Sequence, residues 1–243
     1  MLFRSYMAKE VEVILNLNED VTQIIKSALL KSCIEYLLYQ RQQLPMPYHE
    51  LTRMMEEKEK QDITTNVVEQ PVTRRFLNTE YKNAKKVYED VECLSDNINK
   101  LFMSTVVKSA LILLGSTPVS PKERYLLDFQ NPEERNSLES TSRICNSSCR
   151  KLIRSLISNP DLGTFKDISP TSMFVFIQAS RSSHVQWFRP KSSFKPPNRG
   201  QSCKISVRTA LDEQLNPPNA NTDEWLWFQA PVIVRGYRNR SGV

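Results

Sequence analysis

"TRRFLNTEYKNAKKVYEDVECLSDNINKLF", residues 73–102, carries Leu77, Tyr81, Ala84, Tyr88, Val91, Ile98 and Phe102 in alternating steps of four and three, with Ser95 the one polar interruption. That spacing lines them along one side of an α-helix. It suits a coiled-coil seam, where the stripe meets a second helix, or a single long helix lying across a sheet. The flanks separate the two. "VEVILNL" (11–17) alternates as a half-buried strand does, and "SALILLGS" (109–116) is a short apolar run. With strands on both sides, the helix-on-sheet reading follows, and with it an α+β fold.

Upstream, "NEDVTQIIKSALLKSCIEYLLYQRQ" (18–42) predicts a first helix with Asp20 as N-cap and Gln23 at the capping-box position. Ile25, Leu29, Cys33 and Tyr36 form its stripe, widened by Ile24, Ala28, Leu30, Ile34, Leu37 and Leu38, so burial on most sides is expected. Pro45 and Pro47 end it. Residues 56–72, rich in Glu, Lys and Gln and closed by a proline near their end, read as a mobile loop.

Downstream, "VSPKERYLLDF" (119–129) has the form of a helix start at Ser120-Pro121 yet alternates at Tyr125, Leu127 and Phe129; a hairpin partner for the preceding strand is the reading adopted. A third helix is expected from about Thr141 to Ile157. Cys145, Cys149, Leu152 and Leu156 mark its core side, and Arg143, Arg150 and Arg154 its basic side. Ile153 and Ile157 fall on the shoulder between the two. They either widen the core face or, bordered by arginine, face a partner; the residues alone leave both readings open. The remainder is strand and loop: "SMFVFIQA" (172–179), the basic, proline-rich "WFRPKSSFKPPNRG" (187–200), "KISVRTAL" (204–211), a turn at "NPPNANTD" (216–223) and "WLWFQAPVIVRGY" (225–237), broken by Pro231. A single domain over 1–243 is predicted, three helices on a mostly antiparallel sheet, with residues 1–10 flexible and 189–200 a basic loop that cannot pair as a central strand.

Composition narrows the function. A 40% apolar and 25% charged content is that of a globular chain, and a net charge of +6 suits an acidic partner surface or nucleic acid. No apolar run reaches membrane-span length, and the N-terminus lacks the pattern of a signal peptide. Five cysteines without a secretory signal point to free thiols in a reducing compartment, hence to a soluble intracellular protein. Only five glycines occur, too far apart for a phosphate-cradling loop. His49 and His184 stand in no metal-ligand spacing, and Cys145 with Cys149 lack the second ligand pair that structural zinc takes, so they read as core residues. No catalytic residue, metal or cofactor is expected. A nucleic-acid module would draw on the basic clusters at 150–154, 189–199 and 235–240, with Trp187 or Phe194 to stack bases, but those clusters are scattered over separate elements.

Four stretches carry a resemblance: "YQRQQLPMPY" (39–48), "LILLG" with "SPKE" (111–115 and 120–123), "WFRPK" (187–191) and "WFQAPV" (227–232). In this order and spacing they resemble the comet family, the adaptors that silence the mitotic spindle checkpoint. The resemblance implies a HORMA-like fold whose C-terminal segment acts as a safety belt closed on the protein's own tail; a belt clasping a foreign peptide is the nearer alternative, and a nucleic-acid module the more distant one. It implies two partners: the closed, ligand-holding form of the checkpoint HORMA protein (Mad-two) and a hexameric AAA+ ATPase, the pachytene-checkpoint remodeller, that reopens it. It implies no nucleic acid and no membrane, with residence in nucleus and cytoplasm and at the spindle and kinetochore in mitosis. By the same resemblance Gln40 matches a family glutamine at the partner face, with Arg41 beside it and Arg150, Ile153, Arg154 and Ile157 on the third helix. Ile153 stands where the family usually carries a larger aromatic, a difference of about 1 kcal/mol by buried apolar area. Arg189, Pro190 and Lys191 match the ATPase-facing loop.

Overall fold

The computed structural model describes residues 10–64, 74–129, 142–181, 183, 186–209 and 225–238. Strand β1, Glu10–Leu17, alternates as its sequence predicts, with Val11, Val13, Leu15 and Leu17 buried. Strands β2 (Val107–Gly115) and β3 (Glu123–Phe129) form the expected antiparallel hairpin, Ile112 opposite Tyr125. The helix-start reading of Ser120-Pro121 therefore gives way to the alternation of Tyr125, Leu127 and Phe129, all buried on one face. Strands β4 (Ser172–Ser180), β5 (Arg189–Lys191), β6 (Gln201–Thr209), β7 (Trp225–Gln229) and β8 (Val234–Arg235) complete an eight-stranded sheet in the order β1-β6-β3-β2-β4-β7-β5, with β8 also on β4. It is mostly antiparallel, as expected. The exception is β6, which lies parallel to both β1 and β3.

The helices cover one face. Helix α1, Gln23–Gln40, is capped not by Asp20 but by Thr22, whose extended backbone (ψ 164°) lets its hydroxyl accept from the Ile25 amide at 3.4 Å. Ile25, Leu29, Leu30, Cys33, Ile34, Leu37 and Leu38 are buried, whereas Ile24, expected to widen the stripe, faces solvent. Helix α2, Tyr48–Thr64, corrects the loop expected over 56–72, which is helical through residue 64. Its Leu51 and Met55 reach the core while glutamates and lysines cover the outside, so a helix with only a few apolar contacts carried too much charge to be read as one. Residues 1–9, 65–73, His184 and the 216–223 turn lie outside the described residues.

Helix α3, Arg74–Ser104, is the long helix laid on the sheet. Its deepest line is Ala84, Val87, Val91, Leu94, Ile98 and Leu101, with Tyr81 and Tyr88 only half-buried, so Leu94 rather than Ser95 continues the stripe. The Ser27 hydroxyl donates to the Asn99 side chain at 2.7 Å and ties α1 to α3. Helix α4, Ser142–Ser158, packs on α1 and β1 through Leu152 and Leu156, with Cys145 and Cys149 half-buried beside them as free thiols. A short α5, Pro160–Gly163, follows.

The opposite face of the sheet has its own apolar cluster of Leu111, Leu113, Phe174 and Phe176. The proline-rich segment crosses it as a strap. Phe194 stacks on Phe176 with centroids 4.1 Å apart and meets Trp227 edge-on at 5.9 Å. Before the strap, Arg189–Lys191 pairs with β7 as the outermost strand, a position that tolerates proline because its outer edge needs no ladder donor.

Candidate protein-contact face

Both β1 and β3 run parallel to β6, and the helices that follow them, α1 and α4, lie side by side in the same direction. The Ser32 side chain hydrogen-bonds the Cys149 thiol, whose titration burial pushes up against the pull of that bond. Two further turns along each helix, about 12 Å, bring the chain to Gln40 and to Ile157. Both therefore stand at the same end of the domain on adjoining helices. Gln40 is exposed because α1 runs out there; Ile157 is 66% and Tyr39 48% exposed. Ile153, one turn back, is half-buried, and Arg150 and Arg154 are exposed on its flank. The two isoleucines thus differ: Ile153 is half-buried and Ile157 is open to solvent. Apolar side chains left open beside arginines have the composition of a protein contact.

Arg41 does not share this exposure. Its guanidinium turns under the end of α1, only 10% exposed, against the carboxylate of Glu123, which is fully buried. Arg41 Nε donates to Glu123 Oε2 at 2.9 Å and its Nη2 to the Lys166 carbonyl at 2.7 Å. The Tyr125 hydroxyl donates to Glu123 Oε2 at 2.8 Å, and burial together with that carboxylate holds the phenol far above its usual range. Burial works against the charged Arg41, but its bond to Glu123 and their opposite charges outweigh this and keep the guanidinium protonated. Arg41 fixes the end of α1 from beneath, and the residue sequence reasoning placed on the surface is a buried ion pair.

A residue that sequence reasoning passed over, Gln43, is 1% exposed and more tightly held than Gln40. Its Nε2 donates to the Arg41 carbonyl at 2.6 Å, and its Oε1 accepts from the Thr171 amide at 2.7 Å. Its own carbonyl accepts from the Tyr237 amide at 2.9 Å. Gln42 enters this turn with φ at 54°, in the left-handed region. Only the doubling of glutamine in "QRQQLP" hinted at it.

Arg189, Pro190 and Lys191 are all exposed on β5, at the opposite edge of the sheet from β1. The structure therefore does not bring them to the α1–α4 face. It also sets the basic clusters of α4 and β5 on opposite sides of the sheet. Among the described residues, no group of three or more acidic, histidine or cysteine side chains could hold a metal ion, and no helix is long and apolar enough to cross a membrane.

Fold and element order together define an α+β, HORMA-like domain. The sequence profile of p31comet, described as Mad1 and Cdc20-bound-Mad2 binding, matches residues 17–239, and the chain belongs to that family. It is 28% identical over 207 residues to the mouse MAD2L1-binding protein, spanning 84% of this chain and 71% of the relative. Against the human MAD2L1-binding protein it is 27% identical over 209 residues, spanning 84% and 72%. These relatives bear the name of a binding protein, and the family binds Mad2.

Proposed function

We propose that this chain is a non-enzymatic adaptor that binds the closed, ligand-holding form of Mad2 through the ends of α1 and α4. It then recruits a hexameric AAA+ ATPase to the complex through β5, so that Mad2 is reopened and the mitotic checkpoint silenced. The observation that carries the reading is that Gln40, Ile153 and Ile157 lie toward the same end of two adjoining helices, in a chain whose family binds Mad2. On this reading the C-terminal segment is a belt closed on its own tail, and the protein works in nucleus and cytoplasm and at the spindle and kinetochore in mitosis. Gln40→Ala with Ile153→Ala should abolish detectable binding to closed Mad2 in calorimetry and leave a cooperative thermal melt, since one side chain is exposed and the other only half-buried. Unchanged affinity would refute the assignment of this face.

The separation of the two surfaces makes the ATPase role testable alone. Pro190→Ala with Lys191→Ala should leave Mad2 affinity as in the wild type and slow ATP-driven conversion of closed to open Mad2 several-fold at limiting adaptor. Arg189 and Lys191 would steer an acidic docking surface, so the conversion rate of the wild type should fall as salt rises. Equal conversion by the variant and the wild type would remove the role from β5.

A further inference from the structure

We infer that the partner face includes the C-terminal segment: Tyr237 and Arg238 form one wall of the cleft that Gln40 lines, and Gln43 is the positioning residue that holds this wall in place. The inference rests on the Mad2-binding reading and extends it to Tyr237 and Arg238, more than 70 positions beyond the end of either helix.

A cleft of about 420 Å³ opens at the end of α1, between Tyr39, Gln40, Leu44 and Pro45 on one side and Tyr237 and Arg238 on the other. Its lining mixes the Tyr39 ring and Pro45 with the Gln40 and Gln42 amides and the Arg238 guanidinium, a blend of apolar and hydrogen-bonding groups that suits contact with a protein surface. The two walls come from opposite ends of the chain, and a small set of hydrogen bonds joins them. The Tyr237 amide donates to the Gln43 carbonyl at 2.9 Å, and the Gly236 amide to the Thr171 carbonyl at 2.9 Å. Thr171 in turn donates its amide to Gln43 Oε1 at 2.7 Å. Gln43 thus bridges the turn after α1, the start of β4 and the tail beyond β8.

The fit at Gly236 leaves no slack. A Cβ there would lie 2.8 Å from Gln43 Oε1 and 2.9 Å from the Gln43 carbonyl oxygen, both closer than such atoms approach. Tyr237 is 8% exposed, and burial, with the Glu80 carboxylate adding to it, pushes its phenol up to about 12, so it remains a neutral hydroxyl at physiological pH. Arg238 is exposed at the rim. The consequence is a conditional surface: with the tail docked, Gln40 borders a cleft walled on both sides; without it, only the wall of Tyr39, Leu44 and Pro45 remains. A partner that fills the cleft binds the tail-docked form and stabilises it by the same factor.

Two variants and one exchange measurement test this. Arg238→Ala changes an exposed side chain, so its melting midpoint should match the wild type. Its affinity for human MAD2L1 in complex with a Cdc20 peptide should fall at least fivefold. Gly236→Ala displaces the wall and should lower affinity at least tenfold. In the wild-type chain, adding closed MAD2L1 should slow hydrogen exchange at the amides of 236–238 together with those of 39–44. Were both variants to bind within twofold of wild type, with exchange at 236–238 unaltered, the C-terminal wall would be excluded while loss of binding by the Gln40/Ile153 double variant would preserve the helix face. Were that double variant to bind normally as well, the face itself, and the inference with it, would fall.

Discussion

Glu123→Ala should lower the melting midpoint by roughly 10 °C. Glu123 is fully buried and its carboxylate accepts from Arg41, from the Tyr125 hydroxyl and, at 3.3 Å, from the Gln201 amide. Removing it strands a guanidinium that is only 10% exposed, and breaking a buried pair from one side costs about 3–5 kcal/mol. At about 2–4 °C per kcal/mol for a domain of this size, the shift follows. Arg41→Ala should cost less, since the Glu123 carboxylate keeps the Tyr125 and Gln201 donors. Arg41→Met with Glu123→Met should recover most of the loss, because the attraction between the two charges is largely offset by their desolvation. A double-mutant cycle read by thermal melting checks all three. Strictly additive effects would mean that the pair does not act as a unit. Arg41→Ala should also weaken Mad2 binding, and then through the end of α1 rather than through lost contact.

Arg41 shows where sequence reading stops. The alternation of β1 and β3 and the long stripe of α3 were legible because each element buries one side, and that one-sidedness is written in neighbouring residues. The partner of Arg41 stands 82 residues away on β3, and nothing near Arg41 announces it. The same holds for Gln43 and Gly236, two residues that look like turn filler until the fold brings them together. The place of β6 between β1 and β3 was hidden for a related reason: both neighbours are parallel to it and remote in the chain. Local errors had local causes. Asp20 and Thr22 are both good cap residues, and only the extended backbone at Thr22 decides between them. Helix α2 was masked by the very Glu, Lys and Met residues that favour helix. At the site, exposure separated Ile157 from Ile153, a distinction that helical angle alone left even.

A chain ending at residue 224 should lose cooperative folding altogether, and the reason lies on both faces of the sheet. Strand β7 pairs with β4 from Trp225 to Gln229, and β8 continues along the same strand at Val234 and Arg235. On the helix side, Phe228, Ala230, Val234 and Tyr237 are each less than a tenth exposed, and their loss uncovers Ile177 and the flank of α3 at Val87. On the other side Trp227 goes, and with it the edge-on support of Phe194; β5, whose pairing is to β7, loses its place in the sheet, so the strap no longer covers Phe174 and Phe176. Burying each large side chain stabilises by about 1.5–3 kcal/mol, so the three largest on the helix side alone approach the roughly 5–15 kcal/mol that holds a typical domain together. The truncated chain should therefore be insoluble, or compact with bound hydrophobic dye and no cooperative near-ultraviolet transition. A soluble monomer with a sharp melt would show instead that the C-terminal strands dock on a core already complete without them. The cleft beside Gln40 would then be the part of the molecule that their departure destroys.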